Sequence, residues 1–236
     1  MTMLRTGVTR PVRHGRLTVA LVGPDGAGKS TVSARLRNAG LPRPVRVLYM
    51  GVNLEASTLM LPTTRLLLLA KRLRGRRTDL VASPVGEGPT GTPRPVKDGV
   101  RLSLWMLEEW FRQAVAASYS LRGAIVVFDR HFYADYYHAD VRDGRGGRSP
   151  LRRFHGWMLE HGYPKPDLMI LLDVPAERLH TRKPEATVEW LEQRRAEYLE
   201  LAAVVPRFVV LDADRPLDAV VADTADLIRT TWEARS

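Results

Sequence analysis

The chain contains no cysteine, so it can form neither disulfide bonds nor thiolate metal sites. It also lacks any run of about 18 apolar residues, the length that a membrane-spanning helix needs, and we expect no membrane span. The short apolar stretch after the basic start runs directly into a glycine-rich loop, which argues against a cleavable signal peptide. These absences suit a reducing compartment, and we predict a cytoplasmic location.

Acidic residues are outnumbered, with 26 Asp and Glu against 36 Lys and Arg and a formal net charge of +10. Such an excess attracts polyanions in general: nucleic acid, acidic lipid or small phosphorylated ligands. A proteome rich in arginine would explain it equally well. Because the basic residues are scattered and no nucleic-acid-binding signature appears, a nucleic-acid partner is not expected.

Apolar runs that alternate with helical patterns indicate the fold class. Leu17–Val22, Ala124–Asp129 and Leu168–Asp173 are continuous apolar runs, typical of parallel strands that are covered on both faces. Further strands are predicted at 45–51 and 207–213. The sequence therefore predicts an α/β fold with a doubly wound, five-stranded parallel sheet flanked by helices, as in P-loop NTPases.

The domain organisation is predicted to be simple. Residues 1–16 form a flexible basic arm, and residues 17–236 form a single domain. A stretch rich in proline and glycine, at 75–99, is predicted to be an inserted loop or hairpin. The helical pattern at 100–121 is apolar on more than one side, which favours burial in the core or at a subunit contact.

The stretch "GPDGAGKS" carries the most specific signal, since it follows the first strand and leads into a helix. The pattern G-x-x-x-x-G-K-[ST] fits Gly23, Gly28, Lys29 and Ser30 at full spacing. In such loops the backbone N–H groups surround a phosphate chain, the lysine reaches the β- and γ-phosphates, and the hydroxyl ligates Mg²⁺. The predicted ATP-binding residues of this segment are Gly23, Gly26, Ala27, Gly28, Lys29, Ser30 and Thr31.

Asp25 stands at the tip of this loop. It is placed to face the acceptor side of the cleft, where it would accept a hydrogen bond from a sugar hydroxyl. It is equally well explained as a turn-forming residue before Gly26.

A second motif follows the central apolar run, in "VVFDRHFYADYYHAD". Asp129 ends a predicted strand, where ligands of open α/β sheets collect, and would act on Mg²⁺ through water. Arg130 would hold an acceptor phosphate with its planar fork. The alternative is an ordinary charged pair at a strand end. The aromatic residues that follow are best explained as packing.

A third, basic segment spans about 176–197 and is predicted to be a lid that closes over the triphosphate. Taken singly, each of its basic side chains is as well explained by a solvated helix face with Glu–Arg pairs. The members named here are Arg178, Arg182, Lys183, Arg194 and Arg195.

These motifs, in this order, resemble the thymidylate kinase family of P-loop nucleotide kinases. "GPDGAGKS" is very like the phosphate loop of that family, and "FDR" at 128–130 is similar to its Asp-Arg motif. "KPDLMILLDVPAERLHTRK" looks like its fourth strand and the entry to its lid, while "YLELA" and "LDADRPLDAV" resemble its last segments. The likeness covers nearly all of the chain from Leu17 onward.

For the donor side, the resemblance implies that Lys29 and either Arg182 or Arg194 stabilise the transferring phosphoryl group. Ser30 and Asp129 would organise Mg²⁺. Arg178 is predicted to contact ATP, and Asp214 and Arg215 would lie beside the adenine.

For the acceptor side, the resemblance implies that Arg130 holds the acceptor phosphate and Asp25 the acceptor sugar. Kinases of this family commonly pair as homodimers through long helices, which suits the helix at 100–121. The family usually carries an acceptor-binding arginine on this helix. Here Glu108 and Glu109 stand near that place and Arg112 follows about one turn later, so Arg112 is the candidate.

The predicted function is phosphoryl transfer from Mg²⁺·ATP to a nucleoside monophosphate, with conversion of dTMP to dTDP as the default. The altered acceptor half keeps an alternative open: a kinase for a nucleoside, a sugar or another small alcohol, with Asp129 or Asp25 as the base. A further alternative is a nucleotide-binding module without catalysis.

Overall fold

The computed structural model describes residues 5–6, 15–51, 59–62, 64–65, 95–142, 149–184 and 186–236. The strands are β1 Arg5–Thr6, β2 Leu17–Val22, β3 Val45–Tyr49, β4 Ile125–Asp129, β5 Leu168–Asp173 and β6 Arg207–Asp212. The α-helices are α1 Lys29–Leu36, α2 Pro95–Leu121, α3 Phe132–Tyr136, α4 Pro150–His161, α5 Ala176–Arg182, α6 Val188–Glu200 and α7 Leu217–Glu233. A π-helical turn, Tyr137–Arg142, continues α3, and a 3₁₀ turn, Leu201–Ala203, continues α6.

The described strands form one sheet in the order β1-β6-β5-β2-β4-β3. The five strands β2 to β6 pair in parallel, which confirms the predicted five-stranded parallel sheet and α/β class. In the centre, Val19 of β2 pairs with Val127 on one side and with Leu168 on the other. The short β1 adds an antiparallel edge to β6, so Arg5 and Thr6 of the predicted arm lie against the sheet.

Both faces of the sheet are buried, as the continuous apolar strands require. One face packs against a cluster that includes Val32 and Leu36 of α1 and Ile228 of α7. The opposite face packs against an aromatic cluster that includes Trp105 of α2 and Phe132 of α3. The carboxyl ends of the parallel strands therefore open between two helical layers, where the loops after β2 and β4 meet.

Two helices begin at positions that differ from the sequence prediction. Helix α2 begins at Pro95, so residues 95–99 of the predicted insertion are helical, while the rest of 75–99 lies outside the described residues. In the predicted lid segment, where the sequence pattern favours a helix from about Pro184, helix α6 instead begins at Val188, because the Thr187 hydroxyl accepts a hydrogen bond from the backbone N–H of Trp190 at 3.3 Å and caps the helix. Within the described ranges, no helix is long and apolar enough to span a bilayer.

Candidate active site

The loop between β2 and α1 has the backbone shape that its glycines allow. Gly23, Gly26 and Gly28 adopt φ values of 142°, 89° and 87°, a region that side chains disfavour. A Cβ added at Gly23 would lie 2.8 Å from the carbonyl oxygen of Leu172, so only glycine fits there. Of the other predicted ATP-binding residues, Ala27 is buried while Ser30 and Thr31 are exposed in the first turn of α1.

The ammonium group of Lys29 is enclosed by this loop. The side chain is 5% exposed, and Nζ donates to the carbonyl oxygens of Gly23 at 2.6 Å and Pro24 at 2.7 Å. Burial, aided by the charge of Arg130, lowers the pKa of Lys29 from 10.5 to about 8, although nearby carboxylates oppose the change. Because burial has removed water from around this ammonium group, a phosphate placed beside it would strongly stabilise its charged form.

Asp25 and Arg130 come together as an ion pair between the ends of neighbouring strands, a contact that sequence reasoning missed. Burial opposes ionisation of Asp25, but the charges of Arg130 and Lys29 outweigh it and hold its pKa below the usual range. The signal was available in principle, because Leu21 and Asp129 lie in register on adjacent parallel strands, and opposite charges just beyond such positions meet.

Arg130 also has a left-handed backbone, with φ of 70°, the one such non-glycine residue in the part of the chain that the structure describes. Its N–H donates to the carbonyl oxygen of Leu21 at 3.1 Å, which extends the β2–β4 pairing by one residue. A bulky residue in this region stores strain, and such strain is concentrated at functional sites. The turn aims the guanidinium back over the phosphate loop, toward Asp25.

Asp129 ends β4 and is 7% exposed. Its Oδ1 has no hydrogen-bond partner among the described residues, an expensive state for a buried carboxylate oxygen. The exposed Ser30 hydroxyl lies in the first turn of α1. No group of three or more His, Asp or Glu side chains within the described ranges could hold a metal on its own. A hydroxyl and one carboxylate fit Mg²⁺, which is usually bound by few protein ligands, waters and substrate phosphates.

Asp135, on α3, is a buried carboxylate at this centre that sequence reasoning did not single out. It is 4% exposed, and its Oδ1 accepts a hydrogen bond from the Tyr198 hydroxyl at 3.3 Å. Its Oδ2 has no hydrogen-bond partner among the described residues. Burial raises the pKa of Asp135, opposed by the charges of Arg130, Arg194 and Lys29.

The two arginines proposed for the transferring phosphoryl group lie in different surroundings. Arg194 of α6 packs over the ring of Tyr198 at 5.2 Å, donates to Glu197 at 2.6 Å, and acts electrostatically on Asp135. Arg182 of α5 is half exposed and pairs with Asp214 at 2.9 Å. Arg194 therefore acts on the carboxylate of Asp135 in this arrangement, whereas Arg182 is engaged by Asp214.

Asp214 also binds the other predicted nucleotide contact of the lid. Arg178 pairs with it at 3.2 Å, so two arginines of α5 meet one carboxylate at the end of β6. Arg195 makes a two-point contact with Asp173, at 2.6 and 2.9 Å, and also meets Glu192 at 3.5 Å as a Glu–Arg helix pair. Arg195 therefore has a structural role, tying α6 to the end of β5.

Arg112 lies inside the protein, beside the acceptor half of the site. Its side chain is fully buried, its Nη1 donates to the carbonyl oxygen of Gly51 at 3.2 Å, and its guanidinium covers the ring of Phe132 at 5.4 Å. Arg130 also flanks Gly51, where an added Cβ would collide with the Arg130 side chain. The two predicted acceptor-binding arginines therefore both lie beside Gly51. Nη2 of Arg112 has no hydrogen-bond partner among the described residues.

The two glutamates that stand near the expected arginine of α2 have other partners. Glu108 accepts from the N–H of Leu61 at 3.0 Å and lies 3.7 Å from Arg112. Glu109 contacts Nε2 of His155 at 3.1 Å, and Nδ1 of His155 contacts Asp140 at 2.7 Å. All three members of this carboxylate–histidine–carboxylate cluster are buried.

The aromatic residues after Arg130 pack in the core, as predicted, with Phe132, Tyr133 and Tyr136 at most 1% exposed.

Comparison with known proteins finds similarity to thymidylate kinases. No family model matches the chain. The thymidylate kinase of Caulobacter vibrioides is 40% identical over 119 residues, which is 45% of this chain and 55% of that protein. Those of Chromohalobacter salexigens and Methylobacillus flagellatus are 36% and 32% identical over 115 and 119 residues, or 44% and 46% of this chain and 53% and 57% of theirs.

The chain is similar to thymidylate kinases over nearly half of its length. It spans about half the length of the curated relatives it matches. The predicted resemblance to thymidylate kinases and the predicted α/β fold of a P-loop kinase are thereby confirmed, and the roles predicted for single residues stay predictions. In this chain the loop after β2 encloses the ammonium group of Lys29 and Asp129 ends β4, whereas Glu108 and Glu109 stand on the acceptor side where the resemblance implies an arginine.

Proposed function

We propose that the protein transfers the γ-phosphoryl group of Mg²⁺·ATP to a nucleoside monophosphate, with dTMP as the default acceptor. The observation that carries this proposal is the phosphate loop itself, in which the glycine backbone encloses the desolvated ammonium of Lys29. The names of the relatives support the same chemistry.

Catalysis in such a site consists of positioning and charge neutralisation. Lys29 would hold the β- and γ-phosphates, and Arg194 would offset charge on the transferring group. Ser30 and Asp129 would hold Mg²⁺, which neutralises phosphate charge when bound. Asp214, with Arg178, Arg182 and Arg215 around it, would line the nucleoside end.

A phosphate acceptor is favoured by two arginines. Arg130 and Arg112 both flank Gly51, and Arg112 retains a buried nitrogen without a partner among the described residues. A phosphate monoester is already an anion, so it needs two cations and no base to attack phosphorus. In this scheme the ion pair between Arg130 and Asp25 breaks when Arg130 binds the acceptor phosphate. Asp25 then accepts a hydrogen bond from a hydroxyl of the acceptor sugar.

A hydroxyl acceptor, from a nucleoside or a sugar, is the second candidate, and a specific observation favours it. Glu109 occupies the region of α2 where the resemblance places a phosphate-binding arginine, and Asp25 already neutralises Arg130. The carboxylates Asp25, Asp129 and Asp135 all act on Lys29. This balance of charge disfavours a second phosphate and suits a neutral acceptor.

Saturating Mg²⁺·ATP is expected to raise the melting temperature of the protein by several degrees, since a ligand at 100 times its Kd adds about 2.7 kcal/mol of stability. Asp129→Asn removes the charge that organises the metal, so it should lose most of the Mg²⁺-dependent part of this gain. Differential scanning fluorimetry with ATP, with and without Mg²⁺, measures both effects.

Release of ADP over a panel of nucleosides, sugars and nucleoside monophosphates then identifies the acceptor class. Binding of Mg²⁺·ATP without ADP release on any acceptor would instead indicate a nucleotide-binding module. No thermal shift with Mg²⁺·ATP would contradict the proposal outright.

We also propose that the chain forms a homodimer through α2. Leu107 and Trp110 of this helix are 58% and 42% exposed, and Trp157 of the adjacent α4 is 56% exposed. Aromatic side chains grouped on two neighbouring helices are typical of a protein contact. Light scattering should give twice the 26.5 kDa of one chain, and Trp157→Glu should give a monomer. Leu199→Glu, a change of the same kind on α6, should leave the dimer intact; a wild-type monomer would refute this proposal.

A further inference from the structure

Asp135 is a buried carboxylate at the centre of the site that the proposed transfer to a phosphate leaves without a task. It lies on α3, a few residues after Arg130, and is 4% exposed. Its Oδ1 accepts a hydrogen bond from the Tyr198 hydroxyl at 3.3 Å, and its Oδ2 has no hydrogen-bond partner among the described residues. The groups that act on it are Arg130 after β4, Lys29 of the phosphate loop, and Arg194 and Tyr198 of α6. Of these, Lys29 and Arg194 are proposed to contact the transferring phosphoryl group, and Arg130 is proposed to contact the acceptor.

A carboxylate oxygen in such a place needs a hydrogen-bond donor, since a buried acceptor without one costs about 1–3 kcal/mol. Phosphate oxygens on ATP or on an acceptor monoester are themselves acceptors and cannot satisfy it. A hydroxyl group can. An alcohol acceptor would therefore satisfy this oxygen, whereas a phosphate acceptor would not.

The other two carboxylates of the centre are less suited to receive the proton of that alcohol. Asp25 is held as an ion pair by Arg130, which keeps its pKa below the usual range and makes it a weak base. Asp129 is expected to face the metal, where its negative charge is needed. Among the described residues Asp135 makes no hydrogen bond to a guanidinium, although the charges of Arg130 and Arg194 act on it, and its one observed hydrogen bond comes from a neutral phenol.

We infer that Asp135 is the base of a hydroxyl-directed phosphoryl transfer, so that the acceptor is a nucleoside or sugar alcohol. The hydroxyl oxygen of the acceptor forms a bond to the γ-phosphorus while the bond from phosphorus to the β,γ-bridging oxygen breaks. The hydroxyl proton passes to Oδ2 of Asp135, ADP leaves, and the proton is later returned to water. This inference rests on the proposed ATP-dependent transfer and selects between its two acceptor classes.

Burial supports this role, because it raises the pKa of Asp135 toward the range in which a general base works best. The cations Arg130, Arg194 and Lys29 oppose that change and favour the ionised form, as does the Tyr198 hydrogen bond.

Asp135→Asn tests the inference with matched acceptors that differ only by a phosphate, such as thymidine and dTMP, deoxycytidine and dCMP, with free hexoses in addition. We expect kcat on the hydroxyl acceptors to fall by about a hundredfold, the usual contribution of a general base. On monophosphates kcat should change by less than about threefold. The acid limb of the wild-type profile of kcat against pH should disappear in Asp135→Asn.

Three further variants separate this role from a structural one. Tyr198→Phe removes the hydrogen bond that stabilises the carboxylate, so it should shift the acid limb to higher pH while turnover above the limb is retained. Asp129→Asn should lower transfer to both acceptor classes equally. Asp226→Asn removes an exposed charge on α7 and should change neither class.

The outcomes separate the inference from the proposed function beneath it. If Mg²⁺·ATP binds and monophosphates react, but no hydroxyl acceptor in the panel leads to release of ADP, the inference is wrong. Transfer to a nucleoside monophosphate then remains the proposed function. An equal loss on both classes in Asp135→Asn, or an acid limb that persists in it, also overturns the inference. Failure to bind Mg²⁺·ATP refutes the proposed function itself.

Discussion

Replacement of Lys29 by alanine is expected to lower phosphoryl transfer by at least about a thousandfold, since electrostatic stabilisation is usually the largest catalytic contribution. The ammonium is the one charge that the phosphate loop encloses, through Gly23 and Pro24. Steady-state release of ADP measures the loss, and isothermal titration with Mg²⁺·ATP measures how much of it is binding.

The fold should survive this replacement. The lowered pKa of Lys29, about 8 against 10.5, means that burial of its charge costs stability at neutral pH, and that the cost disappears only as pH rises from about 8 to 10.5. Lys29→Ala removes that cost together with two hydrogen bonds, so we expect the free energy of unfolding at pH 7 to change by no more than about 1 kcal/mol.

Lys165→Ala is the matched control for Lys29→Ala. Lys165 lies just before β5, at the amino ends of the strands, where its ammonium covers the ring of Tyr133 at 4.8 Å. Its loss should leave turnover unchanged. Wild-type turnover in Lys29→Ala would mean that this loop does not hold the transferring phosphates, and the kinase proposal would fall.

The parts of this site that a sequence predicts are those fixed by local pattern. Continuous apolar runs predicted the central strands to within about one residue, because strands buried on both faces need apolar side chains at every position. The loop motif predicted Lys29 and Ser30, since the glycine spacing itself defines the turn. The strand-end position of Asp129 followed from the same reasoning.

What the sequence did not predict depends on contacts between distant elements. Asp25 and Arg130 are separated by more than a hundred positions and pair because β2 and β4 are neighbours. Asp135 sat in a run of aromatic residues that was interpreted as packing. That interpretation was correct for Phe132 and Tyr136, yet the same short helix turns one carboxylate toward Arg194 and Tyr198 of α6. Single-sequence patterns do not say which elements face each other.

The cluster of Glu109, His155 and Asp140 is the clearest case, and it supports the second large prediction. His155 is fully buried and lies 3.1 Å from Glu109 and 2.7 Å from Asp140, so it joins α2 to the π-helical turn and to its own helix α4. Arg152 adds a cation 3.3 Å from Asp140, and the ring of Tyr136 meets the imidazole edge-on. An imidazolium between these two carboxylates compensates the buried charge of both, and it is the hydrogen-bond partner of Glu109.

His155→Ala is therefore expected to lower the free energy of unfolding by about 3–5 kcal/mol at pH 6, because it leaves two buried carboxylates without their shared partner. Urea denaturation followed by circular dichroism measures this. His161→Ala, an exposed histidine on the same helix α4, should cost less than about 0.5 kcal/mol. A second replacement, Glu109→Gln, should cost much less in the His155→Ala background than alone, since the two side chains act as a unit.

The cost should also depend on pH in a defined direction. Burial alone would lower the pKa of His155, but its hydrogen bonds to Asp140 and Glu109 outweigh burial and raise that pKa from 6.5 to about 9. A raised histidine pKa gives stability that is fully present below about pH 6.5 and is lost as pH rises toward 9. The difference in stability between wild type and His155→Ala should shrink from pH 6 to pH 9, and a difference that grows over this range would show that the imidazole is buried neutral.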